Sequence, residues 1–203
     1  HTISGYEDLV CGFKCIQAQK QQRLGTSWHR STEAEWIAQE AKRILDEKPE
    51  LSVGVISFYS GQIQSIFKAM ENPKVGLTVG NKIAENYRII STGKNIGDER
   101  LRIGTVDAFQ GKEFDVVFVS LVRTLPKDFN VDGLDDRDKD EALTRAYGFL
   151  RVDNRLNVAL SRQRSLLIVT GDKELVAHSA TQEAVPALPA FLKLCGGQHG
   201  KIF

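Results

Sequence analysis

No stretch of this chain approaches the roughly 18 consecutive apolar residues of a membrane-spanning helix, and no signal peptide is visible. The expected setting is intracellular, cytoplasmic or nuclear, with no membrane partner. Cysteine is scarce. Cys11, Cys15 and Cys195 are too few, and odd in number, for a secreted disulfide framework. Charge of one sign is also lacking. A formal net charge of +1 gives no global pull toward nucleic acid, so any such binding needs a local basic surface. No internal repeat is apparent. What is present is ample for a core: 203 residues, 41% hydrophobic, the scale of one domain. The chain opens on His1 rather than Met, and a piece of a longer protein is expected.

Two metal-like patterns are weighed and set aside. Cys11-x3-Cys15 and Cys195-x3-His199 offer four soft ligands at permissible spacing. They lie at opposite ends of the chain, and buried thiols are the simpler reading. Asp128-x-Asn130-x-Asp132-Gly133 imitates a calcium loop. Its twelfth position is Lys139, where a bidentate glutamate is required. No metal ligand is assigned.

Residues 1–24 show no clean period and read as a tether or the end of a preceding domain. Thr32-x-x-Glu35 has capping-box spacing, so Ser31 or Thr32 starts a helix that Pro49 ends. Its apolar residues Ala34, Ile37, Ala41, Ile44 and Leu45 share one face. Ser52–Phe58 is β-branched and reads as a strand, and Gly61–Met70 as a helix. Residues 72–98 are glycine-rich and irregular, with a short strand at Tyr87–Ile90. Strands Leu101–Thr105, Asp115–Val122 and Ser165–Thr170, with helix Asn154–Arg162, complete the core. Asp172 starts a further helix, and Pro186–Leu194 forms the last. Pro126–Ala146 is acidic and reads as a solvated loop. Strands alternate with helices and the central strands are continuously apolar, which implies an α/β parallel sheet covered on both faces.

Two segments carry the chemistry. Gly148–Asp172 sets Arg155, Arg162 and Arg164 just before a buried strand, where guanidinium groups suit a transferring phosphoryl group. Leu101–Arg123 contains Thr105, Val106, Asp107, Phe109, Gln110, Gly111 and Glu113 between two strands. Together the segments resemble the last motifs of superfamily 1 helicases, in the up-frameshift and senataxin-like branch. Val53–Gln62 and Gly25–Ala34 resemble two further segments of that family, so the likeness spans residues 25–172.

The resemblance implies a RecA-like, P-loop NTPase-type fold over 25–203, the C-terminal of two motor domains. It implies that Arg162 is the arginine finger, and that Gln110, Gly111, Glu113, Tyr59 and Gln62 join it around the nucleotide, with Glu113 on the ribose. Thr105, Asp107 and Asn157 would meet nucleic acid. Arg155, Arg164 and Arg30 would support them. Phe109 reads as core. The family's direction of movement is 5′-to-3′. A phosphate-cradling loop of the form G-x-x-x-x-G-K-[ST] is absent from the sequence, as Gly93-Lys94, Gly111-Lys112 and Gly200-Lys201 lack the rest of it. The expectation is half an ATP site. ATP and Mg2+ would be bound with an N-terminal RecA-like domain that supplies the magnesium ligands, and single-stranded nucleic acid, DNA or RNA, would be the other partner. The alternative is a nucleic-acid- or protein-binding regulatory module that keeps the fold.

Overall fold

A computed structural model describes residues 2–17 and 19–203. The strands are β1 (Cys11–Cys15), β2 (Gln22–Leu24), β3 (Ser27–His29), β4 (Val53–Ser57), β5 (Thr78–Val79), β6 (Lys82–Ile83), β7 (Leu101–Thr105), β8 (Phe114–Ser120), β9 (Gln163–Gly171) and β10 (Gly200–Ile202). The α-helices are α1 (Ser31–Glu47), α2 (Ser60–Glu71), α3 (Asp136–Tyr147), α4 (Asp153–Ala159), α5 (Lys173–Ala177), α6 (Thr181–Ala184) and α7 (Ala187–Cys195). Six strands form one parallel sheet in the order β10-β1-β9-β8-β4-β7. The remaining four pair as two small antiparallel hairpins.

Strand alternation divides the core in two. Val53, Val55, Val116, Phe118, Leu166 and Ile168 face α1 and α2. Ile56, Val117, Val119, Leu167 and Val169 face the 3-10 turn Val106–Phe109 and the helices from α3 to α7. Each fully buried Ile or Leu on these faces contributes roughly 1.5–3 kcal/mol. The expected α/β class, with helices on both faces of a parallel sheet, is observed.

Four sequence readings are corrected. The stretch 1–24 is not a tether: β1 is an inner strand, in register with β9 along its whole length and with β10 on its other side. Positions 1 and 18 of that stretch lie outside the described residues. The capping box of α1 does not form. Arg30 is the N-cap without a side-chain cap bond, and the Thr32 amide donates instead to Gln19 Oε1 at 3.1 Å. The second half of the acidic loop is helix α3, because the Asp135 carboxylate accepts the Asp138 amide at 2.9 Å and caps it. The short strand at Tyr87–Ile90 is reduced to a single bridge between Ile89 and Glu99.

The two ends of the molecule meet. Cys11 and Cys195 are both buried free thiols, and burial with the neighbouring Cys11 thiol pushes Cys195 up. His199 turns its ring to the Asp8 carbonyl at 3.1 Å. Among the described residues no group of three or more His, Cys, Asp or Glu could hold a metal ion, and no helix is long and apolar enough to cross a membrane.

Candidate functional site

Strand β7 ends at Thr105, level with Ser57 of β4 and Ser120 of β8. The chain then crosses the sheet face through the turn Val106–Phe109 and enters β8 from its opposite end. Gly54 permits this crossing: a Cβ there would lie 2.8 Å from the Phe109 ring and 3.0 Å from Phe114. Phe109 is therefore core, as expected. Gly111 follows at φ +72°, a conformation that disfavours any side chain.

This crossing lies beside α4, and the motif residues share one surface. Arg155 donates to Asp107 at 3.0 Å, joining α4 to the turn. The helix is shorter than its sequence suggests: it ends at Ala159, and Arg162 sits in the turn before β9. The Phe114 amide donates to the Arg162 carbonyl at 2.9 Å, which brings Glu113 beside the Arg162–Arg164 segment. Arg164 lies 3.9 Å from Glu113 and 4.0 Å from Asp115. Gln110, Gly111, Glu113 and Asn157 are exposed, and Thr105 is half-buried.

Arg162 differs from its neighbours. Its guanidinium donates to the Val158 carbonyl at 3.0 Å and to the Ser161 hydroxyl at 2.9 Å. Among the described residues no carboxylate lies within ion-pair distance of it, whereas Arg155 has one and Arg164 two. A half-buried guanidinium held by neutral acceptors keeps its charge available for an external anion.

Three expected site residues are not on this surface. Gln62 is fully buried. Its Nε2 donates to Ser120 Oγ at 2.9 Å and to the Arg30 carbonyl at 3.2 Å, and its Oε1 accepts the Arg30 amide at 2.7 Å. Arg30 is buried too. It donates to Glu33 Oε1 at 2.9 Å, to the Gln19 carbonyl at 2.6 Å and to the Ile16 carbonyl. Glu33 Oε2 accepts from Ser120 Oγ at 2.6 Å, Thr170 Oγ1 at 3.2 Å and the Val122 amide at 3.2 Å. Burial raises the Glu33 carboxyl, and Arg30 opposes that rise. These groups use their bonding capacity on one another because they tie the C-terminal ends of β1, β8 and β9 to α1. Both the Arg30 and the Gln62 side chains are committed to this buried network.

The network also occupies the place where a doubly wound sheet offers a phosphate cradle, between a strand end and the following helix start. After β1, that space is filled by the Arg30 guanidinium, whose partners are the Gln19 and Ile16 carbonyls and the Glu33 carboxylate. The third displaced residue, Tyr59, is the buried N-cap of α2, and its hydroxyl lies against the Arg123 guanidinium and the Phe149 backbone without a hydrogen bond of good geometry. It lies beside Trp28, Arg123 and Phe149 in a separate cavity of about 790 Å³ at the strand ends. Sequence reading missed this cavity. Its one signal was aromatic residues and arginines in four distant segments, which become neighbours only in the fold.

A family model described as "AAA domain" matches residues 5–174. The putative helicase MOV-10 of Gallus gallus is 27% identical over 92% of this chain and 16% of its own length. The helicase sen1 of Schizosaccharomyces pombe is 28% identical over 73% of this chain and 7% of its own length. The regulator of nonsense transcripts 1 homolog of Drosophila melanogaster is 28% identical over 75% of this chain and 10% of its own length. This chain thus spans less than a fifth of each. The motif-based resemblance to the up-frameshift and senataxin-like branch agrees with these matches.

Proposed function

The chain belongs to the AAA domain family, and we propose that it is the second motor domain of an ATP-dependent nucleic-acid helicase. It would complete an ATP site and a single-strand groove together with a first RecA-like domain. The observation that carries this reading is Arg162, a positioned guanidinium with neutral acceptors and no acidic partner among the described residues. In that role it neutralises charge developing on the γ-phosphate, the work of an arginine finger. Glu113 accepts from the ribose, and the Gln110–Gly111 turn lets the backbone approach. Thr105, Asp107 and Asn157 face the strand, and the Arg155–Asp107 pair links the two sets mechanically. Closing and reopening of the two domains around ATP would grip and release the strand alternately.

Magnesium ligands are assigned to the first domain. The two carboxylates of this face, Asp107 and Glu113, are each beside an arginine. An intracellular site of action and 5′-to-3′ movement belong to the same reading.

The test is Arg162→Ala in the full-length protein. Turnover of ATP should fall at least about a hundredfold, on the order of 3 kcal/mol, with ATP binding retained. Arg162→Lys should not restore it, since a point charge lacks the planar fork. Normal turnover in either variant would remove the finger assignment. The regulatory-module alternative would gain from nanomolar, salt-insensitive oligonucleotide binding by the 203-residue chain.

A further inference from the structure

We propose that the cavity between the β2–β3 hairpin and the segment Gly148–Val152 is a second nucleic-acid site, which takes one unstacked nucleotide of a single strand by its phosphate and its base. The proposal rests on the nucleic-acid reading above and adds a site to it.

The cavity opens at the C-terminal ends of β4 and β8, where parallel sheets place ligand crevices. Its charge is of one sign. Arg23, Arg123, Arg145 and Arg151 line it, and no carboxylate does. Arg145 and Arg151 are paired with Glu141 and Asp140. Arg23 and Arg123 have no ion-pair partner among the described residues. Both guanidiniums instead approach the Trp28 ring, at 3.8 Å and 5.2 Å from its centroid. Arg123 donates to the Ala146 carbonyl at 2.8 Å and to the Arg145 carbonyl, and Arg23 to the Thr26 carbonyl at 3.0 Å. Guanidiniums stacked on an aromatic and fixed by neutral carbonyls form a rigid fork that suits phosphate.

A planar partner has its own platform. The Phe149 side is half exposed, with Tyr59 on one flank at 5.5 Å. The Tyr59 hydroxyl is a buried polar atom beside it, close to the Arg123 guanidinium and the Phe149 backbone but without a hydrogen bond of good geometry. Backbone strain is concentrated at the same place. Val122, a β-branched residue, has φ +68°, in a tight turn closed by the Arg123 amide on the Leu121 carbonyl at 2.7 Å. Such an outlier persists only where the surroundings impose it, and here it aims Arg123 at the cavity.

Continuity favours a nucleic-acid strand over an acidic peptide. The Arg155 guanidinium lies 5.8 Å from the Phe149 ring centroid and is paired with Asp107 of the motif surface. The cavity is therefore the neighbour of that surface.

The experiment is fluorescence anisotropy of the 203-residue chain with a labelled 12-nucleotide single strand and its abasic-substituted counterpart, at several salt concentrations. Removing bases should weaken binding to the unsubstituted protein about tenfold, the scale of one stacked base. Phe149→Leu should abolish that difference. Arg23→Gln, on the exposed hairpin, should lower the slope of log affinity against log salt by about 0.7, one phosphate contact. If both variants behave as the unsubstituted chain while Thr105→Ala with Asn157→Ala weakens binding, the cavity proposal falls and the motif surface stands. If the unsubstituted chain binds no strand at any salt, both fall. An acidic phosphopeptide that quenches Trp28 fluorescence where the oligonucleotide does not would assign the cavity to a protein partner and overturn the proposal.

Discussion

Arg30 and Glu33 form an ion pair at 2.9 Å in which both side chains are wholly buried. One helical turn of α1 thus places opposite charges where three strands of the sheet end. Removing one partner leaves the other charged and uncompensated, which typically costs about 3–5 kcal/mol. Arg30→Met should therefore lower unfolding free energy by about that amount in urea denaturation. It also strands the Ile16 and Gln19 carbonyls. A loss under about 1 kcal/mol would mean that the network relaxes around water, and that its role as a fixed plug is wrong.

Gly54→Ala should destabilise by about 1–3 kcal/mol, the usual cost of an extra methyl in a filled core. The clash is with Phe109 and Phe114, so the displaced element is the crossing that carries Asp107 and Gly111. Strand binding should weaken along with stability. Thermal melting together with the anisotropy assay checks both, and a stable variant with unchanged binding would show that the crossing is plastic.

Gly111→Ala should behave differently. Nothing lies within 4 Å of the added Cβ, so only the φ of +72° opposes it. The expected cost is about 1 kcal/mol, without a change in core packing. Near-neutral stability with altered nucleotide response would separate the turn's ligand role from its structural one.

Thiol reactivity offers a simple readout of the sheet edge. Cys15 is half-buried, whereas Cys11 and Cys195 are buried and the Cys195 thiol is held in its protonated form by burial. A thiol reagent at pH 8 should label Cys15 first and the other two only in denaturant. Rapid labelling of three thiols in native buffer would show that α7 detaches readily from β1.

The central strands were legible because a run such as Phe114–Ser120 is buried on both sides and contains few polar residues. Strand β1 was not: its sequence, CGFKC, is short and carries a lysine, and its burial comes from β9 and β10, both distant in the chain. For the candidate site, the two motif segments, Thr105 to Glu113 and Arg155 to Arg164, do meet in the fold. Arg30 and Gln62 lie apart from that surface as buried ties. A polar residue near a strand end reads equally well as a ligand contact or as a buried tie, and only the third partner decides between them. Ser120, seventh residue of β8, is that partner for Gln62. The cavity around Trp28 was invisible for a related reason, since Arg23, Tyr59, Arg123 and Phe149 share no period or motif.

The position of β1 has a consequence for the order of events during synthesis. Cys11–Cys15 leaves the ribosome well before its hydrogen-bonding partners, residues 167–171 and 200–202. Its backbone must stay unpaired while some 150 residues are made, roughly 8–30 s at common elongation rates. Closing so long a loop before any contact rewards it is slow. The subdomain of β4, β7, β8, α1 and α2 can condense first, and β1 is a late insertion between β9 and β10. A nascent chain stalled before Gln163 should thus expose the Cys11 thiol that the finished fold conceals.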